Sequence, residues 1–306
     1  MDAIAVAGMG WAGVASGPGG ERDLTRRPAA FDHARARATD AENLSRLFPG
    51  RWNARRALPA GLDPLVAAFA MALEEAGWWS PGDREPVLGA LVLGTDSHPL
   101  ISAAAFARGI AEQGASGISP TGFLFSLPSS ATAVLGILFG LRDYQATVTE
   151  GGLSGVRALA HAFDLIRLGR IRRAAVGVLS IARGDDTALL LPGWSGAAHP
   201  PAVPKASLEL AVALCLEPSL NGEGGSSGDR RLPRVEDCCI LDRPPDGAAT
   251  GAGECDIEPD HRSLAAPSLL AVARELERAP DGLRTRTLIH SEPGRRGCGV
   301  VRIRRD

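Results

Sequence analysis

Residues 119–182 read SPTGFLFSLPSSATAVLGILFGLRDYQATVTEGGLSGVRALAHAFDLIRLGRIRRAAVGVLSIA. A loop punctuated by Pro120 and Pro128 leads into an apolar helix over 130–142. A short strand follows over 144–150, then a tight turn at Gly151-Gly152, a second helix over 154–168 and a strand of small and branched residues over 174–182. Strand, glycine turn, helix and strand in that order predict an α/β fold with a sheet buried on both faces.

The flanking segments agree. Residues 4–10 (IAVAGMG) form a small apolar run that predicts a buried strand ending at a glycine turn. Residues 62–78 predict an amphipathic helix with Asp63 as cap, Pro64 in the first turn and Gly77 just past the end. Further strands are expected over 87–94, 208–216, 234–241, 286–290 and 299–304, and helices over 99–113 and 268–278. Residues 21–56 read as charged surface loops and short helices. Residues 219–230 and 243–254 are rich in Gly, Ser and Pro, and read as flexible surface loops.

Bulk properties exclude several classes. The 306 residues are 45% hydrophobic, enough for one large core or two fused ones, and the net charge of −2 does not point to nucleic acid. No apolar run reaches membrane-spanning length, and the N-terminus lacks the basic start of a signal peptide, so a cytoplasmic protein is expected. The five cysteines form neither a CxxC pair nor a zinc spacing, so no metal or cofactor is expected.

The central stretch resembles the β-ketoacyl synthases of fatty-acid and polyketide synthesis. In that family the nucleophilic cysteine follows a short strand and opens a helix, in a pattern like V-x-T-A-C-x-x-G. The matching run here is Val148-Thr149-Glu150-Gly151-Gly152-Leu153-Ser154-Gly155, with Gly152 at the thiol position. Other segments carry the resemblance: IAVAGMGWAG as the opening strand, the helix ending Glu74-Glu75-Ala76-Gly77, ASLELAVALCLEP as the strand closing the first half, and TLIHSEPGRRGCGVVRI as the final turn and strand. In the last, His290 stands where Asn is usual and Glu292 where the gating Phe is usual, and residues 293–296 replace most of the glycine gate. The family's two histidine motifs are missing between Glu217 and Thr287, where His261 is the lone histidine.

The resemblance implies a thiolase-like αβαβα layered fold, with a near-complete N-terminal half (1–218) and a shortened C-terminal half (219–306). It also implies a non-catalytic subunit similar to a chain-length factor. Such a subunit would support an active ketosynthase in fatty-acid or type II polyketide or aryl-polyene synthesis, as a heterodimer or a homodimer joined across the strand at 144–150. Glycine has no side chain to carry an acyl group, so the family's covalent step is impossible at Gly152. Glu150, Gly151, Gly152, Ser154, His290, Phe123 and Phe125 are the candidate pocket. Glu150 is a proton donor if buried, and otherwise a charged residue at the start of the next helix. Ser154 lacks an adjacent base. Phe123, Phe125, Leu127, Pro128, Leu135 and Phe139 are candidates for an interface or tunnel, or for ordinary core. His161, inside the helix, reads as a satisfied or partly exposed side chain, and His98 as a loop residue. Arg167, Arg170, Arg172 and Arg173 read as a solvated helix end, or as a docking spot for an acidic acyl carrier protein. The alternative to the subunit is a remodelled acyltransferase or hydrolase using Glu150, His290 or a displaced cysteine such as Cys298. A structural homodimer is the third reading.

Overall fold

The computed structural model describes residues 4–17, 20–26, 48–49, 61–96, 98–114, 118–182, 207–219, 233–241, 265–278, 283–291 and 298–305. Among these, β1 (Ile4–Gly17) and β2 (Gly20–Asp23) are followed by α1 (Asp63–Glu75), β3 (Ala90–Thr95), α2 (His98–Gln113), α3 (Pro120–Phe125) and α4 (Ser130–Phe139). Then come β4 (Tyr144–Val148), a single 3-10 turn (Gly151–Leu153), α5 (Ser154–Arg167), β5 (Ala174–Ala182), β6 (Ser207–Pro218), β7 (Arg234–Leu241), α6 (Ala265–Arg278), β8 (Leu283–Ser291) and β9 (Cys298–Arg305).

The nine strands form one mixed sheet in the order β4-β3-β5-β6-β1-β7-β9-β8, with β2 folded back on β1. β3 runs parallel to β4 and to β5, whereas β6 is antiparallel to both β5 and β1. The side-chain alternation of a strand divides the core in two. Ala90 and Val92 of β3 face α5 and α6, and Leu91 and Leu93 face α1 and α4. The sheet curls so that α5 and α6 are also covered by β7 and β9: Val235, Cys238, Val301 and Ile303 join the cluster that holds Val156, Leu159, Leu269 and Leu270. Helix, sheet, helix and sheet thus stack as four of the five layers expected. The Gly/Ser/Pro-rich segments read as flexible, apart from Ser219, lie outside the described residues, as do most of 21–56, His261, Glu292 and residues 293–296.

Two sequence expectations are corrected. β1 does not stop at Gly10; it continues to Gly17. Gly8 and Gly10 are close-approach residues, because a Cβ at Gly8 would lie 2.1 Å from the Ala72 carbonyl oxygen and one at Gly10 would lie 2.2 Å from that of Ala68. Their bare backbone lets α1 lie directly on the sheet. Asp63 is the first residue of α1 rather than its cap, a position taken by Leu62 without a side-chain hydrogen bond. Gly77 does adopt the left-handed conformation, φ 67°.

Arg26 ties the layers together near the N-terminus. Its guanidinium forks onto Glu75 at the end of α1 (Nη1 2.6 Å, Nη2 3.1 Å), its Nε donates to Glu277 of α6 at 3.0 Å, and its charge lies over the Trp11 ring.

Candidate functional site at the strand ends

The parallel strands β3, β4 and β5 end on the same side of the sheet, where α5 and α6 begin. α/β proteins bind ligands at such strand ends. The chain leaves β4 at Val148 and turns at Gly151, whose φ of 59° suits a residue without Cβ. It then enters α5 through one 3-10 turn, and Gly151, Gly152 and Leu153 are all buried.

Ser154 holds this elbow in place. Its side chain is 0% exposed; Oγ accepts the Glu150 N–H at 2.7 Å and donates to the Thr95 carbonyl at 3.1 Å. The hydroxyl is used in both directions, so it fixes the turn to β3. Gly94 allows the same contact from the other side: a Cβ there would lie 2.5 Å from the Ser154 carbonyl oxygen. Gly152 has no side chain, and the Ser154 hydroxyl is engaged on both sides.

Glu150 is not buried. Its carboxylate accepts from Arg157 Nε at 2.8 Å, in an ion pair whose side chains are 44% and 42% exposed, so the condition for a buried proton donor fails. It makes no side-chain cap for the turn that follows. His161 is part-buried, with Nε2 2.8 Å from the Tyr144 hydroxyl on β4. His98 opens α2 rather than sitting in a loop. His290 lies on β8 opposite Gly299 of β9, and its side chain is outside the described residues.

The displaced-cysteine candidate does not meet the elbow. Cys298 is 0% exposed, in a small apolar cluster with Val300 and Cys239. The next residue, Gly299, faces Val156 in the first turn of α5, so Cys298 points to the opposite face of β9.

A buried polar junction beside the elbow was not singled out in the sequence. Asp96, 5% exposed, follows β3 and accepts from Ser180 Oγ of β5 at 2.6 Å; the same Oγ accepts the Ala266 N–H at the start of α6, at 2.9 Å. The N-terminal end of α6 packs against the elbow and favours a negative group there. An acid in GTDSHP is a faint signal without the partner strand, because Asp96 and Ser180 are 84 residues apart.

The apolar candidates separate into two groups. Leu135 and Phe139 are 0% exposed and belong to the core. Phe123 is 50% exposed, Leu124 57% and Leu127 38%, while Phe125 is half-buried against the α1–α4 core. Phe123 rests on Phe106 of α2, ring centroids 5.8 Å apart.

Arg167 ends α5 and Arg170, Arg172 and Arg173 follow it, at the opposite end of that helix from Gly152. The 14 residues of α5 lie between, a rise of about 21 Å. Arg167 pairs with Asp164 and stands over Phe163; Arg173 donates to the Leu88 carbonyl and stands over Trp78.

No protein-family model matches the chain, and no curated protein matches it. Solved structures do. The ishigamide ketosynthase/chain length factor superposes with a TM-score of 0.56 at 16% identity, covering 99% of each chain. The AntDE:AntF complex of a type II PKS acyl-carrier protein with its ketosynthase gives 0.58 at 12% identity, again over 99% of each chain. A β-ketoacyl synthase from Burkholderia phymatum STM815 gives 0.55 at 11% identity, over 100% of each. At these identities the likeness defines the fold: this is a mixed α/β protein of thiolase-like, ketosynthase-type architecture. Within that architecture, its elbow carries Gly152 where the sequence resemblance places a thiol.

Proposed function

We propose that this chain is a non-catalytic ketosynthase-fold subunit, similar in role to a chain-length factor. It supports an active ketosynthase of fatty-acid or type II polyketide or aryl-polyene synthesis. The observation that carries the reading is the elbow itself. The turn is built and locked as a nucleophile elbow would be, yet Gly152 has no side chain and the Ser154 hydroxyl is committed to Glu150 and Thr95.

The surface supports a partner. β4 is the last strand of its side of the sheet among the described residues, so one row of its backbone donors and acceptors faces outward. Phe123, Leu124 and Leu127 expose apolar area on the segment leading to α4 and β4. A ketosynthase chain pairing along β4 would satisfy the edge and cover that area. A carrier protein would reach the pair through its catalytic member, because the arginine cluster lies a helix length away from the elbow. The acyltransferase reading loses ground here: Cys298 is buried away from the elbow, and Glu150 is an exposed ion-paired residue.

The test is co-purification with the cysteine-bearing ketosynthase of the same organism, read by native mass spectrometry. A one-to-one complex is expected. A homodimer of this chain beside a self-paired ketosynthase would overturn the partner role.

A further inference from the structure

We propose that the rim of the sheet where β3, β4 and β5 begin is a docking face for a lipid surface that carries anionic headgroups. The inference does not depend on the subunit role proposed above, and it concerns the end of the sheet away from the elbow.

The topology gathers this rim. β4 and β5 both run parallel to β3, so the segments leading into all three lie at one end of the sheet. α5 joins β4 to β5 and returns to that end with its C-terminus. The Ala90 N–H reaches the Arg173 carbonyl at 3.0 Å, and the Asp143 N–H reaches that of Gly89 at 3.4 Å, which ties the three segments together.

Two leucines project from the rim. Leu88 is 64% exposed and Leu168 is 66% exposed, the highest values for large apolar side chains among the described residues. Leu168 is the last residue of the α5 cap, and Gly169 behind it turns the chain at φ 66°. The N–H groups of Leu168, Gly169 and Arg170 bond to the carbonyls of Asp164, Ile166 and Leu165, each at 2.9 Å. The turn that presents Leu168 is therefore firmly held. Half-buried Trp78 stands at the same rim, its ring 4.5 Å from the Arg173 guanidinium.

Positive charge surrounds the leucines. Within the lead-in segments 86–89, 141–143 and 168–173, four arginines stand against one acid, Asp143, while Glu85 and Glu217 border the rim. Arg167 spends its charge on Asp164. Arg142, Arg170 and Arg172 are exposed, and none of them forms an ion pair. Arginine with leucine and tryptophan is the composition that seats a protein in a leaflet: cations meet the phosphates and apolar tips enter the acyl boundary. The leucines stand on separate turns with charge between them. That arrangement suits insertion tip by tip better than the continuous packed centre of a protein interface. The exposed Phe123 and Leu127 lie at the other end, because α4 descends from Ser130 to Phe139, whose carbonyl accepts the Val87 N–H at this rim. A ketosynthase covering them leaves Leu88 and Leu168 open.

Flotation of the full chain with phosphatidylcholine vesicles, with and without phosphatidylglycerol, tests the proposal. Binding is expected to the phosphatidylglycerol vesicles alone, with release at about 1 M salt. Arg170→Gln with Arg172→Gln is expected to weaken it about 25-fold, or about fivefold per charge. Leu168→Asn keeps the charge and is expected to weaken it about tenfold. These side chains are exposed, so the urea midpoints of both variants should match that of the parent chain. Absence of flotation with phosphatidylglycerol vesicles overturns the proposal. So does binding that is indifferent to the arginine pair or to Leu168→Asn. Capture of an acidic acyl carrier protein by the parent chain but not by the arginine variant, without flotation, gives the rim to a protein partner and overturns the lipid face.

Discussion

At the residue scale, one buried hydroxyl, that of Ser154, ties the turn between β4 and α5 to the end of β3. Ser154→Ala would leave the Glu150 N–H and the Thr95 carbonyl without their shared partner. A loss of about 1–3 kcal/mol is expected in urea unfolding. Glu150→Gln, by contrast, removes one partner of a half-exposed ion pair. A change below about 1 kcal/mol is expected, and a larger one would mean that the carboxylate holds the elbow. The described cysteines, Cys215, Cys238, Cys239 and Cys298, behave as packing residues. Burial pushes the Cys215 and Cys238 thiols well above the ordinary value of 9.0, and Cys239, only partly covered, less so. Iodoacetamide on the native chain should therefore modify Cys239 well before Cys215, Cys238 or Cys298.

At the element scale, glycine positions decide how closely helices approach the sheet. Gly10→Ala would drive a methyl into the Ala68 carbonyl, and backbone cannot step aside as a flexible side chain can. The expected cost is at least about 1–3 kcal/mol, measured as a lower urea midpoint. This explains a misreading as well. In IAVAGMGWAG the glycines carry the composition of a turn, and only the presence of α1 overhead reveals them as packing residues within a longer strand. The helices α1, α4 and α5 and the strands β5 and β7 were legible because their apolar spacing and flanking residues agree with their burial. Pro120 and Pro128 predict a loop where α3 stands, although Ser119 accepting the Gly122 N–H is an ordinary helix start. The Asp96–Ser180 junction was hidden for another reason: it depends on strands made neighbours by the sheet, and no local pattern records that.

At the scale of the whole molecule, stability should depend on pH through the buried thiols. Their folded pKa values lie above the unfolded ones, so their contribution is complete below about pH 8.5 and declines as pH rises past it. A lower urea midpoint at pH 10 than at pH 7 is expected, with a smaller difference in Cys238→Ala. Pairing should also be visible along β4. In a complex with a ketosynthase, the outward-facing amides among residues 144–148 are expected to exchange hydrogen more slowly than in the isolated chain; unchanged exchange would place the interface elsewhere.

The central helices carry a further consequence, for how the chain comes off the ribosome. Val156, Leu159 and Phe163 on α5 share one buried cluster with Ile4 near the start and Val301 and Ile303 near the end. Until β9 emerges, that helix has a wet apolar flank at a synthesis rate of about 5–20 residues per second. The nascent protein thus passes through a sticky interval that ends only when β8 and β9 have paired and closed over the helix.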